Sequence, residues 1–86
     1  MKKIIEINEG EGFEALLGEK VLIFCLNYIY AGTLSGVNET CIQLENAQIV
    51  YETGVFSSDT LKDAQDLPTS TWYIQTGVIE SFGKQK

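Results

Sequence analysis

Eighty-six residues with six lysines, twelve acids and neither arginine nor histidine give a net charge of −6. That balance leaves too few cations for a phosphate-led nucleic-acid surface and no side-chain base that titrates near neutrality. A chain of this length holds one domain, spanning 1–86, around one core, and its 44% hydrophobic content exceeds what a small sheet readily hides. Burial between subunits is the economical use of the surplus; a well-filled monomer is the alternative.

No apolar run is long enough to cross a bilayer and no leader sequence is legible, so the expected location is the cytoplasm, with no membrane partner. Cys25 and Cys41 lie within apolar strand patterns rather than in a CxxC pair. They are expected to be buried free thiols, and no metal or other cofactor is implied.

In chain order, residues 1–7 alternate weakly and suit an edge strand or an arm. Two glycines among acids, Gly10 and Gly12, then break regular structure. Phe13, Leu16 and Leu17 recur at i, i+3, i+4 before Gly18, a spacing that predicts a short helix stopped by that glycine and packed over one end of a sheet. Val21 to Leu26 alternates as a first strand with both faces apolar, and Leu26-Asn27 supplies the reversal.

Tyr28 to Val37 is the second strand, and its small residues Ala31 and Gly32 mark where a highly curved strand bends. Asn38-Glu39-Thr40 is a polar turn; the same triplet matches a glycosylation acceptor, but without a secretory signal the turn is the simpler reading. Cys41 begins a third strand whose alternation slips at Asn46, where a bend or bulge is expected. Residues 53–71 form an insertion or long loop that is either mobile or helical, with Leu61, Ala64 and Leu67 along one side of the helix and Pro68 beyond its end. Trp72 to Thr76 resumes a strand with Trp72 and Ile74 on one face and Tyr73 and Gln75 on the other. Gly77 turns the chain into a last strand, Val78 to Phe82.

The expected architecture is mainly β: a short N-terminal helix followed by five strongly bent antiparallel strands. Its pattern resembles the Sm-like (LSm/Hfq-type) family, as a divergent acidic member of bacterial or phage type. The resemblance is carried by LLGEKV at Leu16 to Val21, VLIFCLNYIYAGTLSGVNET at Val21 to Thr40, CIQLENAQIVY at Cys41 to Tyr51 and WYIQTGVIESF at Trp72 to Phe82. Tyr30, Gly32, Leu34, Gly36, Val37, Leu44, Ala47, Ile74 and Ile79 sit at the family's characteristic positions. It implies an SH3-like barrel that closes into a cyclic homo-oligomer by pairing the fourth strand of one subunit with the fifth of the next. Trp72, Tyr73, Ile74, Val78, Ile79 and Phe82 would then form the subunit interface.

The resemblance also implies binding of single-stranded RNA at the pore, through the loop after the second strand and the link between the fourth and fifth. Both motifs are altered here. The loop is one residue short, the base-stacking aromatic and the reading asparagine are absent, and Gln75-Thr76 stands where the family has Arg-Gly. Asn38, Thr40, Gln75 and Thr76 remain as uncharged donors and acceptors at that place, and the tyrosines are further stacking platforms if exposed.

No nucleophile elbow, phosphate loop or metal cluster accompanies these residues, so catalysis is not expected. Two functions stay open for a ring: an RNA-binding or RNA-associated role, and a protein-binding scaffold that has lost the RNA site and meets its partner through 53–71. An isolated protein-binding barrel is a third reading.

Overall fold

The structure is a computed structural model that describes Ile5, residues 11–58 and residues 60–85. The edge strand or arm expected over 1–7 therefore falls outside the described residues, apart from Ile5. Six strands form one antiparallel sheet: β1 (Lys20–Cys25), β2 (Ile29–Val37), β3 (Cys41–Glu52), β4 (Asp63–Asp66), β5 (Thr71–Gln75) and β6 (Ile79–Lys84). β6, β1, β2 and β3 are consecutive neighbours, and the far side of β3 carries both β5, along Cys41 to Glu45, and β4, along Gln48 to Glu52. β3 thus has ladder partners on both sides.

The hairpin expected from Val21 onward forms as read, with Leu26-Asn27 as its reversal and the Cys25 N–H donating to the Tyr28 carbonyl at 2.9 Å. Alternation dictates which side chains go inward. Val21 and Ile23 of β1, Leu34 of β2, Ile42, Leu44 and Ala47 of β3 and Ile74 of β5 are buried together in one cluster. Half-buried Ile79 of β6 packs against the same cluster. Since β5 and β6 lie at opposite ends of the strand order, a shared core requires the sheet to curl back on itself.

The curl is localised by a bulge. Between Ala31 and Thr33 the β2 strand advances two residues while β3 advances three, from Gln48 to Glu45. The extra length falls at the expected slip, and Asn46 takes φ 53°, in the left-handed region that asparagine tolerates better than most residues. Gly32 lies across from it. A Cβ there would stand 3.1 Å from the Glu45 carbonyl oxygen and 3.2 Å from the Ala47 Cα, so glycine is what lets the two backbones approach. Asn46→Gly is expected to leave stability within about 0.5 kcal/mol, whereas Asn46→Val should lose about 1–2 kcal/mol to the left-handed penalty. Urea titration of the two variants checks the contrast.

Three expectations are corrected. The N-terminal helix is a single 3₁₀ turn, Glu14–Leu16, and no helix of seven or more residues occurs among the described residues. Three apolar positions cannot sustain helix nucleation; the segment is held instead by Phe13, stacked on Phe82 at 3.8 Å between centroids, and by Leu16 against the core. Gly18 does end this turn, with φ 87°.

The helix given as one alternative within 53–71 does not form among the described residues: the segment is a loop interrupted by β4, Asp63–Asp66. β4 returns along β3, and a 2.7 Å ion pair joins Lys62 to Glu52 at its root. The strand count accordingly rises from five to six. β4 and β5 lie end to end on one side of β3, interrupted opposite the bulge, where the Asn46 N–H donates to the Ser70 carbonyl and the Leu67 N–H to that of Ala47. Finally, Cys25 and Cys41 are free, but both are half-buried rather than buried.

Candidate functional site

The Asn38 turn is built by its own side chain. Asn38 Oδ1 accepts from the Thr40 N–H at 2.8 Å, the Cys41 N–H at 2.8 Å and the Thr40 hydroxyl at 3.1 Å, while the Asn38 N–H donates to the Cys41 carbonyl at 3.0 Å. An asparagine before a reversal commonly serves the backbone in this way. The turn is then tied to the start of the β5–β6 connection, a 3₁₀ turn over Thr76–Val78. The Thr76 N–H donates to the Thr40 carbonyl at 2.9 Å and its hydroxyl to the Glu39 carbonyl at 3.2 Å. Gln75 lies opposite Cys41 in the β3–β5 register.

Asn38, Thr40, Gln75 and Thr76, drawn from two distant segments, therefore converge on one rim. Their chemistry differs from place to place. Asn38 Oδ1 is committed to the turn and Thr76 to the neighbouring carbonyls, whereas the exposed Gln75 amide has no hydrogen-bond partner among the described residues. The charged side chain within these two segments is Glu39. Lys62 and Lys84 are paired with Glu52 and Glu19, and Lys20 lines a separate polar cavity with Asn46 and Asp66. Asn38→Ala removes three accepted hydrogen bonds from an exposed turn and is expected to cost about 1–2 kcal/mol, readable as a lower urea midpoint with an unchanged slope.

The expected interface residues divide by burial. Ile74 belongs to the chain's own core at 4% exposure, and Trp72 and Ile79 are half-buried. Tyr73, Val78 and Phe82 are exposed, although Phe82 also carries the Phe13 stack. β5 has β3 on one side and β6 has β1 on one side, and among the described residues neither has a strand on the other.

A cavity of about 280 Å³ opens between the β1–β2 turn and β5. Tyr28, Tyr30 and Tyr73 stand around it, with Ile74 and Val78 on its apolar side and Gln75 at the end shared with the rim. The Tyr28 and Tyr30 rings are 6.4 Å apart between centroids and inclined at 56°. Burial pushes the Tyr30 phenol above its ordinary value, with smaller contributions from Cys25 and Tyr28, and burial alone pushes the Cys25 thiol up. Tyr73 of β5 lines the same cavity, but among the described residues the ring contact between tyrosines is that of Tyr28 with Tyr30.

Comparison with protein families and with curated proteins finds no match to this chain. Functional inference accordingly rests on the chain's own residues. Among those described, no group of three or more His, Cys, Asp or Glu side chains is placed to hold a metal ion. No helix among them is long and apolar enough to cross a membrane.

Proposed function

We propose that the chain is a Sm-like, ring-forming subunit with an RNA-associated role, acting in the cytoplasm by binding rather than by catalysis. The observation that carries the assembly is the pair of strands β5 and β6, each with one side unpaired among the described residues, joined by the three-residue Thr76–Val78 turn. Such edges invite strand addition, and a closed ring of identical copies satisfies them without open-ended growth. Exposed Tyr73 and Val78 beside those edges supply apolar surface for the contact. In this reading the curled sheet is the SH3-like barrel of the family, and the rim of Asn38, Thr40, Gln75 and Thr76 faces the pore and contacts bases of single-stranded RNA.

A second reading, a ring that serves as a protein-binding scaffold, is favoured by two observations. Among the described residues the rim offers a carboxylate and no cation for phosphate, and the β3–β4 hairpin loop exposes Val55 at 69% and Phe56 at 67%. Native mass spectrometry on protein purified without nuclease treatment, across several concentrations, tests the proposal. A single discrete multiple of the subunit mass is expected; monomer alone over a broad micromolar range would reject the ring. Fluorescence anisotropy with short uridine- and adenosine-rich oligonucleotides separates the two functions. Gln75→Ala, which touches no hydrogen bond of the fold, should weaken RNA binding at the rim, and saturable binding that ignores this change would place RNA elsewhere.

A further inference from the structure

We propose that Tyr73 of one copy seats in the cavity between Phe24, Phe56 and β6 of the next copy, so that each subunit carries a knob at one edge of its sheet and a socket at the other. The proposal rests on the pairing of β5 with β6 between copies and names the side chains that such pairing brings together. Sheet parity carries it. Val21 and Ile23 of β1 enter the core, so Leu22 and Phe24 stand on the face away from it, and with them their register partners on β6, Gly83 and Ser81. On β5 it is Ile74 that enters the core, which puts Tyr73 on the outer face as well, 62% exposed.

Side chains opposite one another in an antiparallel ladder lie on the same face. A β5 strand added antiparallel to β6 therefore sets Tyr73 against Ser81 or Gly83. Both are small, and a Cβ at Gly83 would meet no atom within 4 Å. The space beside them belongs to a cavity of about 310 Å³ walled by Leu22, Phe24 and Phe56. Phe24 and Phe56 meet edge to face, 6.5 Å apart between centroids and inclined at 70°. Phe56 remains 67% exposed, so its ring has surface left for a third aromatic.

An aromatic side chain laid over an edge glycine pins strand register, and aromatic pairs gain beyond the area they bury. Charge is no obstacle. Lys84 also lines the cavity, but it is paired with Glu19 at 3.2 Å, so an uncharged ring can enter without stranding a charge. Knob and socket are different surfaces at opposite ends of the strand order, and a contact of that kind repeats head to tail, as a ring requires. The β3–β4 loop, which supplies Phe56, thereby belongs to the assembly.

The test is sedimentation of the full-length protein over a dilution series, with Tyr73→Ala, Phe56→Ala, the double variant and Tyr73→Phe alongside. Each single alanine should weaken association by about tenfold per contact. The double variant should lose little more than either, because both changes remove one contact, and Tyr73→Phe, which keeps the ring, should stay within about twofold of the parent. In a sample mixing isotope-labelled with unlabelled copies, intermolecular NOEs should join the Tyr73 ring to that of Phe56. Circular dichroism reports whether each variant is folded. An assembly that ignores both alanines, or two losses that simply add, would overturn the socket while leaving the ring in place. A Phe56→Ala change that only strips a co-purified protein from an intact ring would give the cavity to a foreign chain and overturn it too. A parent protein that is monomeric throughout would overturn socket and ring together.

Discussion

Leu44→Ala is expected to lower stability by about 3 kcal/mol. Leu44 is fully buried and sits where three strands meet: it faces Leu34 of β2 on one side and Trp72 of β5 on the other. Truncation removes its transfer free energy and leaves a cavity whose walls are ladder backbone, which relaxes poorly. A domain of this size has roughly 5–10 kcal/mol in total, so the loss is a large fraction of the whole. The melting temperature should fall by roughly 10–25 °C, measured by circular dichroism. A loss under about 1 kcal/mol would mean that the core does not close around β3 as described.

The second large effect is on assembly. Between Phe24 and Cys25 the β1–β6 register skips Glu80, which has no opposite residue on β1 and is exposed. Glu80→Pro therefore places the proline at a position with no opposite residue on β1, while it stiffens β6 against an incoming strand on the side that has no strand partner among the described residues. If β5 and β6 pair between copies, each contact should weaken by about tenfold or more, the equivalent of one lost hydrogen bond. The effect repeats at every interface of a ring. Sedimentation should shift from the ring mass toward the 9.6 kDa subunit, with the strand signal in circular dichroism retained. An undisturbed ring mass would show that closure does not run through β6.

Legibility in the sequence followed the strength of alternation. β1 and the start of β3 could be read because they bury alternate residues, Val21 and Ile23 in one and Ile42 and Leu44 in the other; β2 was legible from its β-branched and aromatic composition, and the slip at Asn46 betrayed the bulge that the left-handed asparagine confirms. β4 could not. Asp63-Ala64-Gln65-Asp66 is made of weak strand formers, and the three-residue spacing of Leu61, Ala64 and Leu67 imitates a helical face. Pairing with β3 overrides local preference there. The N-terminal turn failed for the complementary reason: its spacing was helical, but with so few residues the aromatic stack on Phe82 decides its conformation.

For the rim, the two segments could be named in advance, but the commitment of Asn38 Oδ1 to its own turn is a matter of geometry. The tyrosine cavity was legible only as loose parts. Tyr28 and Tyr30 are two residues apart, whereas β5 comes to line the same cavity because it lies at one end of a sheet that curls.

The position of β3, flanked by β2 on one side and by β4 and β5 on the other, gives the molecule two separate clocks for hydrogen exchange. Each β3 amide points at a neighbour on one side or the other, so it exchanges only when that neighbour leaves, and its deuterium uptake follows the free energy of opening the sheet. Amides on the outer sides of β5 and β6 have no strand partner among the described residues. In an assembling protein their uptake slows as concentration rises while that of β3 holds steady, and the difference between the two rates reads association directly from a folded, unlabelled sample.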